Sequence, residues 1–331
     1  MTTAAHHHRP VRLLAVASGG LILILALAAA ASPSSTRGAA AGAPAAAGAR
    51  VAAPGGTWGT AQQVPGTAAL NKGGSAQVTS VSCAKAGDCS AGGHYTDASR
   101  RTQAFVAGEA NGIWGPAEEI PGTAALNKGG SAEITSVSCA KAGDCSAGGF
   151  YRDASGHFQA FVAGEARGVW GKAQQVPGTA ALNKGGHAEI FSVSCARAGS
   201  CSAGGTYLDA SGNTQVFVAG EAKGIWGHAE EVPGTSKGGG AAIRSVSCAS
   251  AGHCSAGGSY LDASGNAQAF VAGEAKGVWG NAEEVPGIAA LNKGGDAEIT
   301  SVSCAQAGHC SAGGFYKDAS RHLQAFVVNE T

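Results

Sequence analysis

The stretch SVSCAKAGDCSAGG, residues 136–149, occurs five times in this chain with little change. The copies begin at Ser80, Ser136, Ser192, Ser245 and Ser301, so the period is 56 residues except for one interval of 53. Self-similarity at a fixed period of this size is typical of repeat arrays and β-propellers. The sequence therefore predicts a repeat domain, and the other motifs are interpreted within that period.

Residues 1–31 have the composition of an export signal. Two arginines precede an apolar run that starts at Leu13, and Ala29 and Ala31 suit a small-residue cleavage site. The run approaches the length of a membrane span, so an uncleaved anchor is the alternative. Residues 32–54 are rich in Ala, Gly, Pro and Ser, which predicts a flexible linker before a folded domain at 55–331. The protein is expected to be secreted, with membrane contact only through an uncleaved anchor.

Each copy of the stretch carries two cysteines separated by five residues. An even number of cysteines behind an export signal favours structural disulfides. Zinc sites prefer shorter cysteine spacings and usually include histidine, so no metal site is predicted. The predicted disulfides are Cys83–Cys89, Cys139–Cys145, Cys195–Cys201, Cys248–Cys254 and Cys304–Cys310.

The charge balance excludes one class of partner. Lys+Arg and Asp+Glu both number 22, and no basic stretch is interleaved with aromatic residues, so nucleic acid is not an expected partner. The 54 glycines recur at fixed places in the repeat, which indicates turns and close packing instead of disorder. We expect one folded domain, a monomer, with no cofactor.

Each repeat contains four strand signals, which the third copy shows well. Residues 189–195 are short, β-branched and alternating, and residues 201–207 are rich in Ala and Gly, as a crowded inner strand requires. Residues 215–221 form the third signal, and residues 225–232 form the fourth, which ends at a proline. The connectors carry turn residues, such as Asp-Ala-Ser-Gly at 209–212, so the four strands are predicted to form an antiparallel meander.

The order of the strand signals indicates how the repeats would close. The ordered chain opens with a lone fourth-strand signal at 57–64 and ends after a third strand at 324–328. Pairing between these two segments would complete the last repeat, which is how propellers limit exposed strand edges. The sequence therefore predicts an all-β, five-bladed β-propeller of 20 strands, closed by the N-terminal strand.

One rim of the predicted propeller combines amide, ammonium, carboxylate and aromatic groups. The loop before the first strand and the turn after the second strand emerge on the same side of each blade, and this mixture of groups suits a sugar ligand. The fourth loop, residues 235–239, lacks Leu and Asn, so four sites are expected. Near-identical weak sites would raise avidity for a multivalent surface. The candidate binding residues are Asn71, Lys72, Tyr95, Asp97, Asn127, Lys128, Tyr151, Asp153, Asn183, Lys184, Tyr207, Asp209, Asn292, Lys293, Tyr316 and Asp318.

No catalytic constellation is predicted. One glutamate ends the third strand of each repeat, and these glutamates are expected to be solvated and equivalent to one another. Glycoside hydrolysis needs two carboxyl groups in different environments, which equivalent acids do not provide. The chain is therefore predicted not to be an enzyme. The glutamates are Glu109, Glu165, Glu221, Glu274 and Glu330.

The elements Ser-Val-Ser-Cys, Cys-Ser-Ala-Gly-Gly, Asp-Ala-Ser-Gly, Gln-Ala-Phe-Val and Trp-Gly-x-Ala resemble the Cys-paired repeats of secreted proteins from high-GC Gram-positive bacteria. Similar elements occur in bacterial propellers related to sialidase-type and photosystem-assembly repeats, and five-bladed lectin propellers are similar by fold analogy alone. The resemblance covers residues 55–331 and implies a secreted propeller. The first hypothesis is a module that binds a cell-surface or cell-wall glycan. The alternatives are a scaffold that binds another extracellular protein and a propeller related to glycoside hydrolases.

Overall fold

The computed structural model describes residues 57–235 and 237–331. The predicted export signal and linker, 1–31 and 32–54, lie outside the described residues. The chain divides into the units Met1–Gly59 and Thr60–Thr331, and all five repeats lie in the second unit. Within the described part of the chain, no helix has both the length and the hydropathy to cross a membrane.

Each repeat forms one antiparallel sheet. In the first sheet, β1 (Ala76–Lys85), β2 (Asp88–Thr96) and β3 (Thr102–Ala110) lie side by side, and two short strands, β4 (Ile113–Trp114) and β5 (Glu118–Glu119), pair with β3. The helical turn α1 (Thr67–Leu70) precedes the sheet. The remaining elements, in chain order, are α2 (Thr123–Leu126), β6 (Ala132–Lys141), β7 (Asp144–Arg152), β8 (Phe158–Ala166), β9 (Val169–Trp170), β10 (Gln174–Gln175), α3 (Thr179–Leu182), β11 (Ala188–Arg197), β12 (Ser200–Leu208), β13 (Thr214–Ala222), β14 (Ile225–Trp226), β15 (Glu230–Glu231), β16 (Ala241–Ser250), β17 (His253–Leu261), β18 (Ala267–Ala275), β19 (Val278–Trp279), β20 (Glu283–Glu284), α4 (Ile288–Leu291), β21 (Ala297–Gln306), β22 (His309–Lys317) and β23 (Leu323–Asn329).

The prediction of five repeated antiparallel sheets is confirmed, with differences in the outer strand and in one loop. The outer strand is two short pieces, because the amide of Ala117 turns away and donates to the carbonyl of Pro65 in the preceding repeat at 2.7 Å. The loop before the first strand of four repeats contains a helical turn that the sequence analysis did not predict. Its Thr-Ala-Ala-Leu sequence favours helix, and the Thr123 hydroxyl donates to the carbonyl of Ile120 at 2.8 Å.

The five predicted disulfides are confirmed. In the second sheet Cys139 and Cys145 are directly opposite each other, with their Cα atoms 4.0 Å apart. None of the ten cysteines is free. Five disulfides in one chain are consistent with an oxidising, extracellular environment.

The hydrophobic core lies between successive sheets. In the first interface, Ile134 and Val137 of β6 pack against the preceding sheet over Gly92 of β2, where a Cβ atom would lie 2.6 Å from the Cγ2 of Ile134. Glycine is therefore required at this position because it leaves room for the neighbouring sheet. The cores of the interfaces consist of buried Ala, Val, Ile, Phe and Tyr side chains contributed by both sheets.

The predicted closing strand is not formed. Residues 57–64 contain no strand, and the fifth sheet consists of β21, β22 and β23 alone. Val327 of β23 is 82% exposed, and Val81 of β1 is 55% exposed. The physical reason is local: every other outer strand follows its own third strand through a tight hairpin, whereas no strand precedes 57–64 among the described residues. The five sheets are consistent with a propeller, but closure by the N-terminal strand is absent from the described residues.

Candidate functional site

The asparagines of the predicted rim are structural groups in the repeats where they are buried. Asn127 donates from Nδ2 to the carbonyl of Thr102 and to Oε1 of Gln103, both at 2.9 Å, and its Oδ1 accepts from the amide of Ser131 at 2.7 Å. Asn183 and Asn292 form the same set of contacts. Both N–H groups of Asn127 and its carbonyl oxygen have partners inside the protein, and the side chain is buried, so its polar groups serve the fold.

The aspartates of the rim, and the tyrosines Tyr95 and Tyr207, also have hydrogen-bond partners inside the protein. The Tyr95 hydroxyl donates to Glu119 at 3.3 Å, and burial, with the nearby charge of Glu119, raises the pKa of Tyr95 to about 12. Asp97 accepts from the side chain of Gln103 and from the amides of Ser99 and Arg101. These hydrogen bonds hold the pKa of the Asp97 carboxyl below its usual value, and the bond from Gln103 has the largest effect.

The structure therefore joins predicted rim residues in a polar network at three places, where the Asp of one repeat is connected through a Gln to the Asn of the following loop. In the first repeat Gln103 joins Asp97 to Asn127, and the same link recurs through Gln159 and Gln268. Lys128 is exposed, and its Nζ donates to the carbonyl of Ala124 at 3.2 Å. Ligand binding at this rim stays a prediction, with the lysines and the turn backbone as its accessible groups.

A cleft lies at the other end of the sheets, between the third and fourth repeats. Its volume is about 740 Å³, within the usual range for a small-molecule site. The walls come from the disulfide hairpins, the ends of β13 and β18, and the outer strands. Polar lining residues are Arg197, Ser202, Glu221, Lys223, His228, Glu230, Glu274 and Lys276, and Trp279 adds an aromatic ring.

Glu274 differs from the solvated glutamate that the sequence analysis expected. It is 8% exposed and lies near the end of β18, where the strand has left β17 and pairs with β19. Ser202 of the preceding sheet donates to its Oε2 at 3.4 Å. Burial raises the pKa of Glu274, and the negative charge of Glu230 raises it further, against the hydrogen bond from Ser202.

Glu230 is exposed, so the three glutamates that line the cleft, Glu221, Glu230 and Glu274, are in unequal environments. The prediction that the third-strand glutamates are solvated and equivalent is wrong, because Glu221 and Glu274 are buried whereas Glu330 is exposed. The difference arises because Glu274 belongs to a third strand that packs against the preceding sheet, whereas Glu230 lies on that sheet's outer strand. The sequence contained a signal for this pair: the outer strands carry Glu118, Gln174, Glu230 and Glu283 at the equivalent position.

The other repeats offer matched versions of this arrangement. Glu165 is half-buried, and burial raises its pKa, with further contributions from Asp144 and Glu118. Glu221 is buried and accepts from Ser146 at 3.3 Å, and burial raises its pKa, but the position equivalent to Glu230 is Gln174. Glu330, in the fifth repeat, is exposed. Glu221 therefore lines the cleft as a second buried glutamate, while the interface that it contacts through Ser146 has Gln174 in place of the exposed glutamate.

The cleft also contains a group of side chains with the composition of a metal site. Among the residues that the structure describes, the sulfurs of Cys248 and Cys254 and a carboxylate oxygen of Glu274 lie within 4.8 Å of one another. The two sulfurs form a disulfide, so neither is available as the thiolate that binds a metal. This group therefore does not fit a metal ion while the disulfide is intact.

The comparisons with known proteins found weak similarities to solved structures and no match of any other kind. No protein-family model matches the chain, and no curated protein does, so the specific repeat family stays a prediction. A protein of unknown function from Dyadobacter fermentans is 13% identical, covers 77% of this chain and 79% of its own, and has a TM-score of 0.42. A thermostable family-43 glycoside hydrolase is 13% identical, with coverages of 78% and 91% and a TM-score of 0.35. An α-L-arabinofuranosidase from Podospora anserina, solved with cellotriose, is 8% identical, with coverages of 81% and 94% and a TM-score of 0.33.

Several of the matched structures are glycoside hydrolases. They contradict the prediction that the chain is not an enzyme, but likenesses with TM-scores below 0.5 assign it neither an activity nor a substrate.

Proposed function

We propose that the cleft between the third and fourth repeats binds an extracellular glycan and hydrolyses a glycosidic bond in it. The observation that carries this proposal is the pairing of buried Glu274 with exposed Glu230 in one cleft. Glycoside hydrolysis uses two carboxyl groups whose environments separate their protonation states. This pair has that asymmetry.

Each carboxyl group has a role that follows from its surroundings. Burial favours the neutral acid at Glu274, so this group donates a proton to the oxygen of the departing sugar. Glu230 faces solvent and serves as the base that takes a proton from the water attacking the anomeric carbon, so that a new carbon–oxygen bond forms as the glycosidic bond breaks. The volume of about 740 Å³ accommodates a short saccharide.

Other lining groups suit the binding of a sugar. Arg197, Lys223 and Lys276 supply N–H donors for hydroxyl or carboxylate groups, and the ring of Trp279 offers a surface on which a sugar ring can stack. Export is part of this proposal, because the five disulfides favour an oxidising compartment in which surface and cell-wall glycans are present.

The test is hydrolysis by the purified, oxidised full chain. A panel of aryl glycosides and cell-wall polysaccharides is incubated with the protein, and released phenol and reducing ends are measured. We expect Glu274→Gln and Glu230→Gln each to lower the rate by about 10²-fold or more. Glu165→Gln is the control, because it replaces a glutamate of the same strand position whose pKa is also raised by burial but which does not line this cleft.

Two outcomes would refute the proposal. The first is a wild-type protein that hydrolyses nothing in the panel while remaining folded, as judged by its circular dichroism spectrum. The second is a Glu274→Gln variant whose rate equals that of Glu165→Gln. A loss of rate in Glu165→Gln as large as the loss in Glu274→Gln would indicate a stability effect shared by the buried glutamates.

A further inference from the structure

The interface between successive sheets is formed four times with the same contacts. The hydroxyl of Ser80 accepts from the amide of Val137, and that of Ser82 accepts from the amide of Cys139, both at 2.9 Å. The equivalent serines of the next three sheets repeat both bonds at 2.9–3.0 Å. One face of each sheet therefore carries serine hydroxyls and a glycine. The facing surface of the next sheet carries backbone amides that donate to these hydroxyls and β-branched side chains that pack over the glycine.

The first and fifth sheets each have one face without its partner among the described residues. On the first sheet Val81 is 55% exposed, whereas Val137, its equivalent in the second sheet, is 5% exposed. On the fifth sheet a Cβ atom at Gly313 would meet only its own sheet, 3.5 Å from the carbonyl of Phe326. At Gly92, the equivalent glycine of the first sheet, that atom would lie 2.6 Å from the side chain of Ile134.

The two unpartnered faces complement each other residue by residue. Ser301 and Ser303 of the fifth sheet are the equivalents of Ser80 and Ser82, and no contact from a further sheet occupies their hydroxyls in the described residues. The amides of Val81 and Cys83 on the first sheet are the donors that match these hydroxyls. Val78 and Val81 match the space above Gly313, as Ile134 and Val137 match the space above Gly92.

The outer strands show the same complementarity. Phe105 and Val106 of β3 pair with Glu119 and Glu118 of the outer strand. Their equivalents on β23, Phe326 and Val327, have no outer strand beside them. The equivalents of the two glutamates are Gln63 and Gln62, which precede the first sheet and form no strand.

We propose that the fifth sheet of one chain docks on the first sheet of a second copy of the same chain. The docked pair would extend the repeat-to-repeat interface across the two chains, with the same serine–amide bonds and the same valine–glycine packing. We assign the two unpartnered faces to contact between two copies because, within one chain, β21 does not pack on β1 in the way that β1 packs on β6. This assembly replaces the monomer that the sequence analysis expected.

The proposed contact is heterologous, since it joins two different surfaces of identical chains. Such contacts add chains head to tail and produce either filaments or rings of several chains. The assembly would also place several equivalent clefts along one particle, which raises avidity for a polymeric ligand. The assembly itself does not depend on whether the cleft is catalytic.

Sedimentation velocity of the full oxidised chain, over about a hundredfold range of concentration, tests the proposal. We expect the average mass to rise with concentration. Val81→Glu damages the first face and Gly313→Leu damages the fifth, so each variant alone is expected to remain a monomer. Mixed in equal amounts, the two variants retain one intact face each and are expected to form a one-to-one dimer that grows no further. Ile225→Glu is the control, because Ile225 is 73% exposed but lies away from both faces, and its assembly is expected to match the wild type.

Three results would overturn the proposal. Oligomers that persist in both single variants would place the contact on another surface. A monomer at every concentration, with slow hydrogen exchange at the amides of Val81 and Cys83, would show that another segment of the same chain covers the first face. A monomer in which these amides exchange fast would show that both faces stay exposed.

Discussion

Replacement of Asn127 by alanine should destabilise the fold instead of removing a ligand contact. The side chain is buried and makes three hydrogen bonds, to Thr102, Gln103 and Ser131, which join the loop to β3. Each bond contributes about 1 kcal/mol net, and the alanine variant leaves a buried carbonyl and a buried amide without partners. We therefore expect the free energy of unfolding to fall by about 3 kcal/mol.

The chain contains a matched comparison for this variant. Asn71 occupies the same place in the first repeat, but no third strand precedes it, and its Oδ1 has no hydrogen-bond partner. Asn71→Ala should therefore cost about 1 kcal/mol or less. Lys128→Ala, beside Asn127, removes one exposed contact and should change stability by about 0.5 kcal/mol or less.

Urea unfolding of the oxidised protein, followed by circular dichroism, measures all three variants. The urea midpoints are compared between variants whose unfolding curves have the same m value, so that a change in midpoint reports a change in stability. If Asn127→Ala lost no more stability than Asn71→Ala, the network would not hold the loop as described. The asparagine would then again be a candidate for direct contact with a ligand.

Three further predictions concern the disulfides, the buried glutamates and the inner glycines. Replacing Cys139 and Cys145 together by serine removes a cross-link around a seven-residue loop, which should cost about 2.4 kcal/mol in the chain-entropy model; a reduced midpoint in thermal unfolding checks this. Because burial raises the pKa of Glu221 above 4.5, folding is favoured while the carboxyl is protonated, and stability falls as the pH rises through that raised pKa. Urea titrations from acid to neutral pH should show a smaller fall for Glu221→Gln, and an identical fall would contradict the assignment. Gly148→Ala should cost about 1–3 kcal/mol because the new Cβ would lie 2.7 Å from Ile190, whereas Gly220→Ala has open space and should be tolerated; equal losses for both would be inconsistent with this packing.

The local features of this chain could be predicted from its sequence. The strand signals, the Asp-Ala-Ser-Gly turn at 209–212 and the cysteine pairs depend on residues that are close together in the chain. Their geometry follows from alternation, turn chemistry and the spacing of opposed residues in a hairpin. These features recur in every repeat because the same short sequences recur.

The environment of each candidate site residue could not be predicted in this way. Asn127 and Tyr95 have the composition of a sugar-binding rim, but the neighbouring strands use their polar groups. Glu274 and Glu109 stand in the same local sequence, Gln-Ala-Phe-Val-Ala-Gly-Glu-Ala, but packing of one sheet on the next buries Glu274 and leaves Glu109 partly exposed.

The sequence by itself determined the repeat, its strands, its turns and its disulfides. Tertiary structure decided which polar groups are already occupied, which carboxyl groups are unequal, and which sheet faces have no neighbour. Val81 and Val137 show the reason most directly, because they stand in the same local sequence and differ in exposure from 55% to 5%. Local sequence sets the conformation of a strand, but burial depends on the sheet beside it, and no sheet precedes the first one in the part of the chain that the structure describes.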